Sequence, residues 1–201
     1  MGQQVETAGR GRRQLIMMIS LFLLPPIAAW IAWQYLGEHG VSGTTNNGTL
    51  ISPARPLTFQ GLVGPDGASL ALSELRGRWL YVVYGKDTCG QACQQQLYVT
   101  RQARVAVNKD IPRVRRLLVL DDPADRALMV KLAEEHEDLL IAIGMPEQLR
   151  GEFHGENFDT AGDQFFLVDP LGNLMMYYQS DAVPRGVLRD LQKLLKISQV
   201  G

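Results

Sequence analysis

RWLYVVYGKDTCGQAC, Arg78 to Cys93, decides how the chain is read. Its first half is β-branched and aromatic with no polar alternation. That pattern suits a strand buried on both faces, as in the middle of a parallel sheet. Its second half holds the only two cysteines of 201 residues, Cys89 and Cys93, with three residues between them. From Gln91 to Val107 the apolar positions Ala92, Leu97, Val99, Ala103 and Val107 follow helical spacing. The cysteines therefore fall where a buried strand turns into a helix. Unpaired N–H groups and the positive dipole end of a helix N-terminus stabilise a thiolate there, so Cys89 is expected to be the more nucleophilic thiol. Cys93 returns to the same face one turn later, with the two Cα atoms roughly 6 Å apart, a separation that a disulfide bridges. The same spacing lets two thiolates hold a soft ion such as Cu(I), and it also suits two small buried hydrophobes.

Downstream, Val114 to Leu120 reads as a second apolar strand and Asp125 to His136 as a helix, with Asp125 favouring its start. Leu139 to Ile143 is a short strand. Phe165 to Val168 and Leu174 to Tyr178, joined by Asp169-Pro170-Leu171-Gly172-Asn173, form a hairpin. Val187, Leu188, Leu191, Leu194 and Leu195 make one apolar face of a terminal helix. Upstream, Leu57 to Val63 reads as a strand that turns at Gly64-Pro65-Asp66-Gly67. Strands and helices in this order make an α/β domain with a mixed sheet covered by helices, the layout of a thioredoxin-like domain, over residues 56–201.

Before the domain, Leu15 to Leu36 runs 22 residues without a charge. As a helix it spans roughly 33 Å, enough for a bilayer core. Trp30, Trp33 and Tyr35 gather at its C-terminal end like an interfacial belt, and Arg10, Arg12 and Arg13 precede it. These features predict a transmembrane anchor at 15–36, a cytoplasmic tail at 1–14 and a linker at 37–55, rich in Gly, Ser, Thr and Asn. In a bacterium, the chain would cross the inner membrane once and its domain would face the periplasm, where a disulfide persists. A cleaved signal peptide fits less well: the run is long for one, and no small-residue cleavage site follows. Without Glu6, Arg10, Arg12 and Arg13 the chain keeps 17 basic and 20 acidic residues, a net of −3. Such a balance gives no footprint for nucleic acid.

With these features the chain resembles the Sco/SenC family of membrane-anchored thioredoxin-fold proteins, which assist assembly of the copper centre of cytochrome c oxidase. The likeness rests on the anchor, the strand into Tyr84-Gly85, the C-x-x-x-C of Cys89 and Cys93, and Leu167-Val168-Asp169-Pro170-Leu171-Gly172. It implies a catalytic Cys89/Cys93 dithiol and a membrane-bound protein partner, such as an oxidase subunit with a copper-site cysteine pair. It also implies Cu(I) as a ligand of Cys89, Cys93 and a histidine. Two departures stand out. The family's prolines after each cysteine are replaced by Gly90 and Gln94. The family's copper-binding histidine falls near Ala161, and the nearest histidine is His154.

Three functions follow as expectations. The first is a thiol–disulfide oxidoreductase that needs no cofactor. The second is a Cu(I) chaperone using Cys89, Cys93 and His154. The third is an assembly scaffold whose disulfide is a structural clip. Asp87 is expected to tune the thiols or to serve the turn. The Met175/Met176 pair is expected to pack. His136, among acidic neighbours, is expected to have a raised pKa and no catalytic role.

Overall fold

The buried strand forms as Trp79–Gly85, and every one of its residues is buried. It is the second strand, β2, of a six-stranded sheet in a computed structural model that describes residues 6–39, 46–70, 72–86, 89–121, 126–161 and 163–198. The other strands are β1 (Thr49–Pro56), β3 (Val114–Leu120), β4 (Leu139–Ile143), β5 (Phe165–Val168) and β6 (Asn173–Tyr178). The helices are α1 (Glu6–His39), α2 (Leu72–Leu75), α3 (Gln91–Ala106), α4 (Arg126–Glu135), α5 (Glu147–Glu152) and α6 (Pro184–Ile197). The chain divides into two units, residues 1–45 and 46–201.

The first unit is α1. It extends beyond the expected span at both ends, with Pro25 and Pro26 inside it. Within it, Gly11–Tyr35 is long and apolar enough to cross a membrane.

In the second unit the strand order is β1-β6-β5-β2-β3-β4. β2, β3 and β4 are parallel, and β5, β6 and β1 continue the sheet antiparallel. The expected mixed sheet is therefore present. Alternate residues of β2 enter opposite cores, as the period of two requires. Trp79, Tyr81 and Val83 pack with Leu97 of α3, Leu132 of α4 and Leu191 of α6. Leu80, Val82 and Tyr84 pack with Leu57, Phe59, Leu75 and Leu149 of α5. On α6, Val187, Leu191 and Leu195 are buried, with Leu188 and Leu194 packed beside them. Met176 is buried, so the Met pair serves packing as expected.

Two expectations fail at the start of the domain. Residues 57–63 form no strand. Phe59 has φ +51° and Gly61 φ +80°, left-handed conformations that interrupt an extended ladder. Leu57, Phe59 and Leu62 are buried by packing instead, and only Val63 makes isolated bridges, to Ser69 and Ile143. The first strand lies earlier, at Thr49–Pro56, and all of it but Pro56 falls in the stretch expected to be linker. Of its residues only Ile51 is buried, and prolines are tolerated because it is an edge strand bonded to β6 alone. Polar composition hid it. Asp87, Asp125 and linker residues 40–45 lie outside the described residues.

Candidate functional site at the strand-to-helix turn

β2 delivers the chain to the carboxyl end of the parallel strands, where Gly90 caps α3 with extended backbone (φ −67°, ψ −171°). Cys93 lies in the first turn of α3, and Cys89 sits just before the cap. The two are joined as a disulfide with Cα atoms 5.1 Å apart, inside the range the spacing implied.

The turn is tightly built. A Cβ on Gly85 would stand 2.7 Å from Leu120 Cδ2 and 3.5 Å from Cys93 Sγ, so the strand end and the cysteine turn meet where only a hydrogen fits easily. The Gln94 backbone N–H donates to the Gly90 carbonyl (3.0 Å), and Gln94 Nε2 donates to the Cys89 carbonyl (3.1 Å). A proline at 94 lacks that N–H. The departure from the family pattern at Gln94 thus adds two bonds that hold the turn closed, which the sequence reading missed. Both cysteines are buried, with exposures of 3 % for Cys89 and 6 % for Cys93.

On the other face of the sheet, a polar cluster ties the same strand ends together. Tyr84 Oη is hydrogen-bonded to Asp121 Oδ2. Arg150 Nη1 donates to Tyr84 Oη (2.6 Å) and Arg150 Nη2 to Asp121 Oδ1 (2.8 Å). The Asp121 backbone N–H donates to the Gly85 carbonyl (3.3 Å). Burial raises the Tyr84 pKa, and the bond to Asp121 raises it further. The bond to Asp121 raises that of Arg150. Sequence reading quoted Tyr84 only as the end of β2 and linked none of the three. Arg150 is 66 residues from Tyr84, and no local pattern couples them.

The other residues singled out from sequence lie elsewhere. His154 is exposed. Its carbonyl accepts from Arg55 Nη1 (2.6 Å), and it lines a shallow cavity with Phe158, Asp159 and Gln164. Among the described residues no three His, Cys, Asp or Glu side chains come together in a set that could hold a metal ion. His154, Cys89 and Cys93 form no such group. The segment before β5 does approach that end of the sheet, because Phe165 pairs with Val83 near the end of β2. There Ala161 is exposed and offers no donor. Among the described residues no set completes a copper site.

The expectation for His136 is reversed. Its pKa is lowered, first by burial and then by the Arg116 and Arg101 charges, which outweigh Asp138 and Glu135. Acidic sequence neighbours misled because the third dimension brings arginines to the ring.

Comparison with known proteins fits this geometry. A family model described as "transmembrane-like, thioredoxin-like, C-terminal domain" matches residues 79–198. No curated protein matches the chain. The fold is similar to copper-bound ScoI of Bradyrhizobium japonicum, at 18 % identity and a TM-score of 0.51, over 66 % of this chain and 94 % of that one. It is similar to copper-bound ScoI of Arabidopsis thaliana, at 16 % identity and a TM-score of 0.54, over 76 % and 99 %. A third likeness is to BsSco, described as a member of the Sco family of cytochrome c oxidase assembly proteins with a disulfide switch. It has 15 % identity and a TM-score of 0.53, over 75 % and 99 %. At these identities the likeness establishes the thioredoxin-like fold.

Proposed function

The chain belongs to the transmembrane-like, thioredoxin-like C-terminal domain family, and from that premise we propose that it is a membrane-anchored thiol–disulfide protein acting through Cys89 and Cys93. One observation carries the reading: the disulfide closes the first turn of α3 at the carboxyl end of the central strand. A helix N-terminus there favours the thiolate form of the reduced pair.

In the reduced protein the Cys89 thiolate attacks one sulfur of a partner disulfide. A Cys89–partner disulfide forms and one partner thiolate leaves. The Cys93 thiolate then attacks Cys89 Sγ and releases the second partner thiolate. Two electrons pass to the partner, which leaves as a dithiol, and the Cys89–Cys93 disulfide remains. A dithiol reductant restores the pair. The partner we assign is a copper-site cysteine pair in a cytochrome c oxidase subunit, in line with the description of BsSco. Arg10, Arg12 and Arg13 before the uncharged run Leu15 to Leu36 support a cytoplasmic N-terminus and a domain on the opposite side, the periplasm in a bacterium. Cu(I) enters this reading only as cargo of the reduced pair.

Burial of both cysteines favours a second reading, a structural clip. The reduction potential separates the two. The full chain in neutral detergent is equilibrated with graded thiol–disulfide buffers, and its dithiol is counted by alkylation mass shift. A potential between about −180 and −300 mV supports exchange, whereas one below about −300 mV belongs to a structural bridge and overturns it.

A further inference from the structure

Thiol–disulfide exchange needs a thiolate to reach a sulfur, and both Cys89 and Cys93 are buried. The turn must therefore open locally before the pair reacts. Its two halves are held differently. Cys93 lies in the first turn of α3 and belongs to the core that holds Leu97, Leu118 and Leu120. Cys89 precedes the helix. Apart from the disulfide, its one hydrogen bond with a described residue is the bond that its carbonyl accepts from Gln94 Nε2, at 3.1 Å.

The floor of the turn is closed. A Cβ on Gly85 would stand 2.7 Å from Leu120 Cδ2 and 3.7 Å from the Cys89 Cα, which leaves Cys89 no space to move inward there. On the other side there is room, because a Cβ on Gly90 would meet nothing within 4 Å. Cys89 thus opens outward, and the Gln94 amide is the tie that resists it. The Gln94 side chain is itself exposed and lines the cavity between α3 and α4 with Leu97 and Tyr98, so the tie is broken without disturbing the core.

We propose that Gln94 is a positioning residue that latches the dithiol. Its amide holds Cys89 in the closed turn, and exchange runs through the fraction of molecules in which that bond is broken. This role rests on the exchange reading of the pair. In the open form an incoming thiolate of a dithiol bonds Cys89 Sγ, and Cys93 Sγ leaves as a thiolate. The second thiolate of the same dithiol then attacks the first, releases Cys89 as a thiolate and closes the reductant into a disulfide. Two electrons pass from the reductant to the pair. The latch sets the rate of this sequence.

The test is reduction of the full chain by excess dithiothreitol in neutral detergent, at concentrations where the rate is proportional to the reductant. Free thiols are counted by alkylation mass shift. Gln94→Met keeps the length of the side chain and removes the donor. Gln95→Met makes the same change at the neighbouring exposed residue. Gln94→Met is expected to be reduced about three- to tenfold faster than the natural chain, and Gln95→Met at the natural rate within about twofold. Urea midpoints are measured alongside, because a merely structural role would move the midpoint and not the rate at constant stability. Acceleration of Gln94→Met by less than about threefold overturns the latch. So does an acceleration that Gln95→Met shares, or one that only follows a fall in the urea midpoint. The reduction potential decides the exchange reading separately. A structural bridge whose rate depends on Gln94 keeps the latch and drops the exchange, whereas an exchanging pair whose rate does not depend on Gln94 keeps the exchange and drops the latch.

Discussion

Asp190, in the middle of α6, accepts the backbone N–H groups of Asn47 and Gly48, both at 2.8 Å, from the far end of the domain sequence. Its other oxygen accepts from Asn47 Nδ2 (3.0 Å), which also donates to the Gly186 carbonyl (3.1 Å). This clamp leads the chain into β1 and so fixes the edge of the sheet. Asp190→Ala removes the acceptor for two backbone donors at a buried site. The expected loss is about 3 kcal/mol, or roughly 6–12 °C in Tm. Asp190→Asn keeps an acceptor oxygen and is expected to lose less. Thermal denaturation of both variants checks this, and equal losses would mean that the bonds are not the source.

Gly85 stands between Leu120 and the cysteine turn. In Gly85→Ala the new methyl meets Leu120 Cδ2 at 2.7 Å but Cys93 Sγ at an ordinary contact distance, 3.5 Å. The Leu120 tip must shift within a packed core, at a cost of about 1–3 kcal/mol. The disulfide is expected to form as before. Denaturant unfolding and intact mass without reductant read the two parts separately. A variant isolated with free thiols would show that Gly85 controls the bridge itself.

His154, Cys89 and Cys93 form no metal-holding group, so His154 is not expected to ligate Cu(I) with them. Competition of the reduced chain against a chromophoric Cu(I) chelator is the measurement. His154→Ala is expected to leave any affinity unchanged within about twofold, and Cys89→Ser/Cys93→Ser to abolish it. A tenfold loss on removing His154 would bring it into the site.

Burial holds the neutral form of His136 in the folded state, so its pKa lies below the ordinary value of about 6.5. As pH falls, the unfolded chain takes up this proton first. The contribution to stability is therefore complete above about pH 6.5 and is lost as pH falls through the lowered folded value. Arg116 and Arg101 strengthen the effect, while Asp138 and Glu135 oppose it. Urea midpoints at pH 7.5 and 5.5 should fall more steeply for the natural chain than for His136→Gln. A variant with an equal or steeper fall would refute the assignment.

Much of the site was legible before any coordinates. β2 announces itself because a strand buried on both faces has no polar position, and here all seven residues are buried. The cysteine turn follows from local spacing, since four residues make about one helical turn. The segments that misled are those whose state depends on distant partners. Thr49–Pro56 reads as linker because an edge strand has little to bury, and its pairing with β6, from Pro56↔Asn173 to Thr49↔Tyr177, is too distant in sequence to see. Leu57 to Val63 reads as a strand because its apolar residues alternate, yet Phe59 and Gly61 adopt left-handed backbone.

The sequence by itself determined an apolar N-terminal helix, an α/β domain and a dithiol at a strand-to-helix turn. Each rests on a short period or on composition, which are local properties of the chain. Tertiary structure alone decided the closure of the turn by Gln94 and the linking of Tyr84, Asp121 and Arg150 across three elements. It also decided the burial of Arg116 on the face of β3 that packs with α3 and α4. Apart from the local bonds of Gln94, these rest on residues far apart in sequence, and packing of the helices on the sheet sets them, not any pattern along the chain.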